Sequence, residues 1–250
     1  MKTIVLGIES IPDAAAASRA GVDLKEGFPA WPLHQIACVS LLTVTRQRSD
    51  QQTFDVETFS RAGLSERGIV ASVERRIEDA FEVITFNGRS FDLPVLLTRA
   101  ALTGERCPTI AKLMAQSRFR SGTPLDLLEE ATAFGAAPRV KLSYLCAAFP
   151  IPVKIDVHGG EVGQLADDGN WDAISRYCET DVVATWLALQ LWRSAQRADP
   201  EAVVPATRNL AEWIRGDQPR LAHLLPYASN CDPHGDGDML GDPDLFDVVF

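Results

Sequence analysis

The run Thr3-Ile4-Val5-Leu6-Gly7-Ile8-Glu9 constrains the fold more than any other stretch of the chain. Its apolar residues are continuous rather than alternating, so a strand here needs cover on both faces, as a central strand of an α/β sheet does. Pro12 bounds it, because proline brings no N–H to a ladder. One carboxylate, Glu9, closes the run, with Gly7 two residues before it. Strand periodicity places residues 7 and 9 on one face.

The rest of the chain supplies the partners and the cover. Ile36–Thr45 and Gln52–Val56 are β-rich and predict a hairpin across Arg46–Asp50, after a connecting excursion through Ala14–Gly21 and the Pro/Trp-rich stretch Phe28–Leu33. From Leu64 to Phe81 the apolar residues follow helical spacing. Val83–Phe86 predicts a fourth strand, ended by the turn pair Asn87-Gly88. Ser90 is the expected N-cap of a helix reaching Leu102. Helical segments follow at Ile110–Gln116 and Leu125–Phe134, the latter preceded by a short strand at Thr123–Leu127. Further helices are expected at Lys141–Phe149 and, long and rich in Ala, Leu and Trp, at Trp171–Arg197. This order predicts an α/β domain with a mixed sheet. One domain over 1–198, followed by a helical extension and acidic tail over 199–250, is the expected division.

Composition excludes several classes. A hydrophobic content of 46% supports a globular core. No apolar run approaches the ~20 residues that span a bilayer, and the N-terminal run is shorter than the ~7–15 residues of a signal core, so a soluble, cytoplasmic protein is expected. Five dispersed cysteines without a C-x-x-C pair argue against a zinc ribbon or a disulfide framework. The net charge of −10 counts against a nucleic-acid partner, yet residues 199–250 hold ten acids and three bases, which leaves only −3 on residues 1–198. Between Arg99 and Lys154 eight bases face four acids, the composition of a positive patch.

Four side chains stand out chemically. Glu9 closes the buried run, Asp92 follows the strand–turn F-N-G-R-S-F-D, and Tyr177 and Asp181 are four apart in Y-C-E-T-D, on one helix face. Each alone has an ordinary structural explanation, such as a loop-facing acid or a carboxylate favoured by a helix N-terminus. Together, carboxylates from a central strand, a strand–helix corner and a late helix can meet at the carboxyl end of one sheet. Such a cluster repels itself unless divalent cations hold it, and oxygen ligands favour Mg²⁺ or Mn²⁺. Two such ions about 4 Å apart suit phosphodiester cleavage.

These residues lie in three motifs. L-G-I-E-S-I-P-D at 6–13, F-N-G-R-S-F-D-L-P at 86–94 and Y-C-E-T-D-V-V-A-T at 177–185 resemble, in order and spacing, the motifs of DnaQ-like 3′–5′ exonucleases. Within these, the chain resembles the tyrosine-bearing (DEDDy) predicted exonucleases related to the proofreading domain of family B polymerases. The resemblance runs from Lys2 to Trp192. It implies an RNase H-like fold with a mixed five-stranded sheet, and it places the family's fifth strand at P-L-D-L-L, 124–128, where Asp126 is not a metal ligand. It further implies a catalytic set of Glu9, Asp92, Tyr177 and Asp181. Glu9 and Asp181 would bind a first Mg²⁺ or Mn²⁺, Asp92 would support a second, and Tyr177 would orient the attacking water. Phe86, Asn87 and Phe91 would form the wall beside the terminal nucleotide of a single-stranded 3′ end, DNA in preference to RNA.

The departure from the family pattern is Gly7, at the position of the family's first metal-binding aspartate. Glycine offers no ligand, and Asp13, beyond Pro12 and out of register, is a poor substitute. Loss of a bridging ligand is expected to lower metal affinity and rate by about 100-fold or more, since even outer-shell losses reach 10–100-fold. Three readings stay open: a feeble exonuclease, a disabled one that still binds nucleic-acid ends, and a scaffold for a protein partner. His158–Glu161 reads as a turn whose glycines would allow close approach to a phosphate. In the tail, D-G-D-M-L-G resembles part of a calcium loop, but Leu240 occupies a ligand position.

Overall fold

The computed structural model describes residues 1–47, 51–116, 125–149, 151–152, 161–197, 203–217 and 219–229. The opening run forms β1, Lys2–Pro12. Antiparallel to it lies β2, His34–Arg46, and antiparallel to β2 lies β3, Gln52–Ser60. On its other side β4, Glu82–Thr85, is parallel to β1, and β5, Leu125–Asp126, is parallel to β4. The order β3–β2–β1–β4–β5 puts β1 at the centre of a mixed five-stranded sheet. Residues 48–50 of the expected hairpin turn lie outside the described residues.

β1 does not stop at Glu9. Its ladder with β2 slips register between Glu9 and Ser10 and then continues to Pro12, opposite His34. The Asp13 N–H closes it on the Leu33 carbonyl at 2.7 Å. Asp13 itself then caps helix α1, Ala14–Ala20, by accepting from the Ala16 N–H. The alanine-rich stretch read as a plain connection is therefore a capped helix, ended by Gly21 at φ 68°.

Alternate residues of β1 serve two cores. Ile4, Leu6 and Ile8 meet α2 (Glu66–Ile77) and α3 (Asp92–Thr103) through Ile69, Val73, Leu93 and Leu96. Ser65 starts α2 by accepting from the Gly68 N–H. Beyond α3 come α4 (Pro108–Ala115), α5 (Leu127–Ala131), α6 (Leu142–Ala148), the short unanticipated α7 (Val162–Asp167) and the long α8 (Trp171–Arg197). Val5 faces the opposite core with Val182, Val183 and Trp186 of α8. The helical C-terminal part, α9 (Val203–Gly216) and α10 (Leu225–Ser229), joins that second core through Leu210, Ile214 and Tyr227. A fully buried aliphatic side chain contributes about 1.5–3 kcal/mol, so these helices are part of what stabilises the sheet. Among the described residues no helix is long and apolar enough to cross a membrane.

Candidate active site

β4 pairs with β1 only along Thr3–Val5. Beyond that, among the described residues no strand pairs with β1 on this side, and its backbone needs other partners. Asp92, first residue of α3, supplies one: its Oδ1 accepts the Ile8 N–H at 3.0 Å. Asp92 is 7% exposed. Burial pushes its carboxyl up to about 8, and the negative charges of Asp126 and Asp181 add to the rise.

The turn that delivers Asp92 is organised from a distance. Ser90 is not the helix cap; Phe91 occupies that position, and no side chain caps the helix. Asp126, buried at the end of β5, does the work instead. Its Oδ1 accepts from the N–H groups of Asn87 at 2.9 Å and Leu128 at 3.1 Å, and its Oδ2 from the Arg89 N–H at 2.9 Å and Thr85 Oγ1 at 3.2 Å. Asn87 is thereby held at φ 67°, a conformation that asparagine tolerates better than most residues. Gly88 is demanded by space: a Cβ there would lie 2.5 Å from Thr85 Cβ. The F-N-G signature thus follows from a buried aspartate 38 or more residues away, which no local pattern reveals. The signal available in the sequence was Asp126 preceding L-L-E-E, a helix N-cap; it indeed caps α5.

From the opposite core, α8 brings Tyr177 and Asp181, both half-buried. Burial pushes the Tyr177 hydroxyl up, and Asp181 and Glu9 raise it further. Asp181 also acts on Asp92. Glu9, Asp92, Tyr177 and Asp181 therefore share one electrostatic neighbourhood. The register slip at Glu9/Ser10 is of the kind that re-aims a strand side chain. Glu179, between the two motif residues, is turned elsewhere and accepts from Thr58 Oγ1 at 2.7 Å. Tyr227 of α10 lies close enough to Asp181 for that charge to raise its hydroxyl, which burial has already pushed up. This contribution of the C-terminal part has no counterpart in the motif reading.

Of the nucleotide-wall residues, Phe86 packs on the α8-side core and Phe91 on the α3-side core. Phe91 also stacks edge-on against His34, with centroids 5.1 Å apart, and His34 in turn meets the exposed Phe28 at 4.5 Å. The Asn87 carboxamide accepts from the Arg139 guanidinium. Asp13 is absent from this neighbourhood, because Arg99 binds it at 2.8 Å together with Glu66.

At Gly7 the helix has closed in. A Cβ on Gly7 would lie 3.1 Å from Val182 Cγ1 and 4.0 Å from Cys178 Sγ, and the Cys178 thiol donates to the Gly7 carbonyl at 3.3 Å. The fit of a divalent cation can be judged from these groups. Position 7 offers no side-chain oxygen, one Asp92 oxygen is committed to the Ile8 amide, and among the described residues no three carboxylate, imidazole or thiolate side chains are arranged to hold a metal ion. The residues present do not make a two-cation site. The H-G-G-E loop lies mostly outside the described residues, as does the D-G-D-M-L-G segment.

Comparison with known proteins agrees with this architecture. Residues 26–231 match the family described as a predicted 3′-5′ exonuclease related to the exonuclease domain of PolB. The matched stretch holds the second and third motifs and leaves Gly7–Asp13 upstream of it. The fold is similar to that of the family B DNA polymerase from the hyperthermophilic archaeon Pyrobaculum calidifontis, with a TM-score of 0.52 and 18% identity. That likeness covers 92% of this chain and 29% of the polymerase, and at such identity it speaks for the fold alone. No curated protein sequence matches the chain. With four-fifths of its length inside the family match, the chain belongs to the predicted 3′–5′ exonucleases related to the PolB exonuclease domain.

Proposed function

We propose that the protein engages single-stranded nucleic acid at its 3′ end, DNA in preference to RNA, and that its divalent-cation-dependent 3′–5′ exonuclease activity is strongly reduced by Gly7. Phe86, Asn87 and Phe91 form the wall beside the terminal nucleotide. Glu9, Asp92 and Asp181 are the carboxylates that remain once position 7 has lost its ligand, and Tyr177 feels the charge of Glu9 and Asp181. The observation that carries the reading is the packing at position 7. The ligand is missing and Val182 also crowds the space a side chain would need, so the site is altered in depth rather than at one atom.

The test restores the ligand. On a 5′-labelled single-stranded oligonucleotide with Mn²⁺, the wild type should remove nucleotides at least about 100-fold more slowly than Gly7→Asp, an expectation set by the cost of disturbing metal ligation. Val182→Ala combined with Gly7→Asp relieves the 3.1 Å contact and should do as well or better. Asp181→Ala should erase the gain. A wild type as fast as the restored variants would show that Gly7 is no lesion. Restored variants that fold and bind 3′ ends but stay inert would end the lost-ligand account. No binding of single strands at low salt would overturn the reading in favour of a scaffold for a protein partner.

A further inference from the structure

We propose that Arg139, Lys141 and Tyr144 form a ledge along which a single strand reaches the site, the two cations on backbone phosphates and the tyrosine ring on an unpaired base. This rests on the reading above that the ligand is single-stranded nucleic acid.

Three observations carry it. Arg139 is tied to the site, since its guanidinium donates to the Asn87 carboxamide. A guanidinium carries five N–H donors in a planar fork, so a phosphate can share the group with Asn87. Next, Lys141 sits at the N-cap position of α6 without capping it, and Tyr144 stands one turn on, its N–H donating to the Lys141 carbonyl at 3.0 Å. The Lys141 Nζ lies 6.0 Å from the Tyr144 ring centroid, and that ring is 65% exposed. A large aromatic ring held open to solvent beside a cation is poor economy for a core and well suited to stacking a base. Finally, the segment is locally basic in an acidic chain: no Asp or Glu occurs between Glu130 and Asp156. A cationic stripe with an interleaved aromatic, abutting the turn of a nuclease-family motif, matches the chemistry of a single strand with its phosphates and unstacked bases.

The test is fluorescence anisotropy with a labelled single-stranded oligothymidine of about a dozen nucleotides, a length within the range of single-strand sites, in EDTA and over a series of salt concentrations. Tyr144→Ala should weaken binding by about 5- to 150-fold, the range for one stacked base. Tyr144→Trp should restore it and Tyr144→Leu should not. Arg139→Ala with Lys141→Ala should make the salt dependence shallower by about 1.4 in log–log slope, ~0.7 per single-strand phosphate, whereas Arg139→Lys should keep the slope. All these side chains lie on the surface, so the variants should melt like the wild type. If the wild type binds and the variants bind equally well with unchanged slope, the ledge is wrong and the functional reading stands. If the wild type binds no single strand at low salt, both fall together.

Discussion

Past Val5 no described strand pairs with β1 on the β4 side, and the Ile8 N–H turns to Asp92. That bond holds whether or not the acid is charged, but burial and the nearby Asp126 and Asp181 disfavour the charge and raise the carboxyl to about 8. An unfolded aspartate titrates near 3.9. The folded chain therefore keeps a proton that the unfolded chain releases between these values. The resulting stability is fully present below about pH 4 and lost progressively as pH rises through about 8. Asp92→Asn keeps an oxygen for Ile8 and removes the titration. In EDTA its stability advantage over wild type should be smallest at pH 5, widen up to pH 8, and level off above. Urea midpoints across that range check this, and a constant difference from pH 5 to pH 9 would sink it. At this scale the sequence singled out Glu9, Asp92, Tyr177 and Asp181 as candidates, because motif and residue type travel together, and the fold gathers them. Asp126 under the Asn87 turn and Val182 against Gly7 were not legible, since both contacts join residues that only the finished fold brings together.

At the scale of elements, the second core asks how far α9 and α10 belong to the sheet. Leu210 and Ile214 are fully buried among Val182, Val183 and Trp186, with Phe54 of β3 set 5.8 Å from Trp213. Arg220 reaches back to the Val56 carbonyl at 3.1 Å, and His223 Nε2 lies 2.7 Å from Glu179 Oε2 without the alignment of a hydrogen bond. Leu210→Ala or Ile214→Ala should cost about 2–5 kcal/mol, as core truncations do. The loss should lower one cooperative transition, read alike by tryptophan fluorescence and far-UV circular dichroism. Two separated transitions, with only the first shifted, would mean that the C-terminal helices fold as their own unit. Elements with strong periodicity were readable: the long α8 spans Trp171–Arg197 as its pattern implies. Those fixed by distant partners were not. β1 runs through Pro12 because β2 pairs with it beyond a register slip, and α3 starts one residue later than Ser90 predicts because Asp126 shapes its turn.

The whole molecule sets its own obstacle to a polyanion. Its charge is −10, and six of its acids, Asp232, Asp236, Asp238, Asp242, Asp244 and Asp247, fall in residues 230–250, which contain no Lys or Arg. Replacing those six by Asn changes the formal charge to −4 and alters no residue of the ledge or of the candidate site. If the acids act by long-range repulsion, the effect must follow the screening length, ~30 Å at 0.01 M salt and ~8 Å at 0.15 M. Association with a single-stranded oligonucleotide should then quicken by about 10-fold at the lower salt, and the gain should shrink towards nothing at the higher, with dissociation unchanged. Stopped-flow fluorescence separates the two rates. A gain that persists at high salt and appears in dissociation would instead place these acids in direct competition with the strand for the cations of the ledge. No gain at low salt would mean that the local basic segment, rather than the net charge, governs encounter.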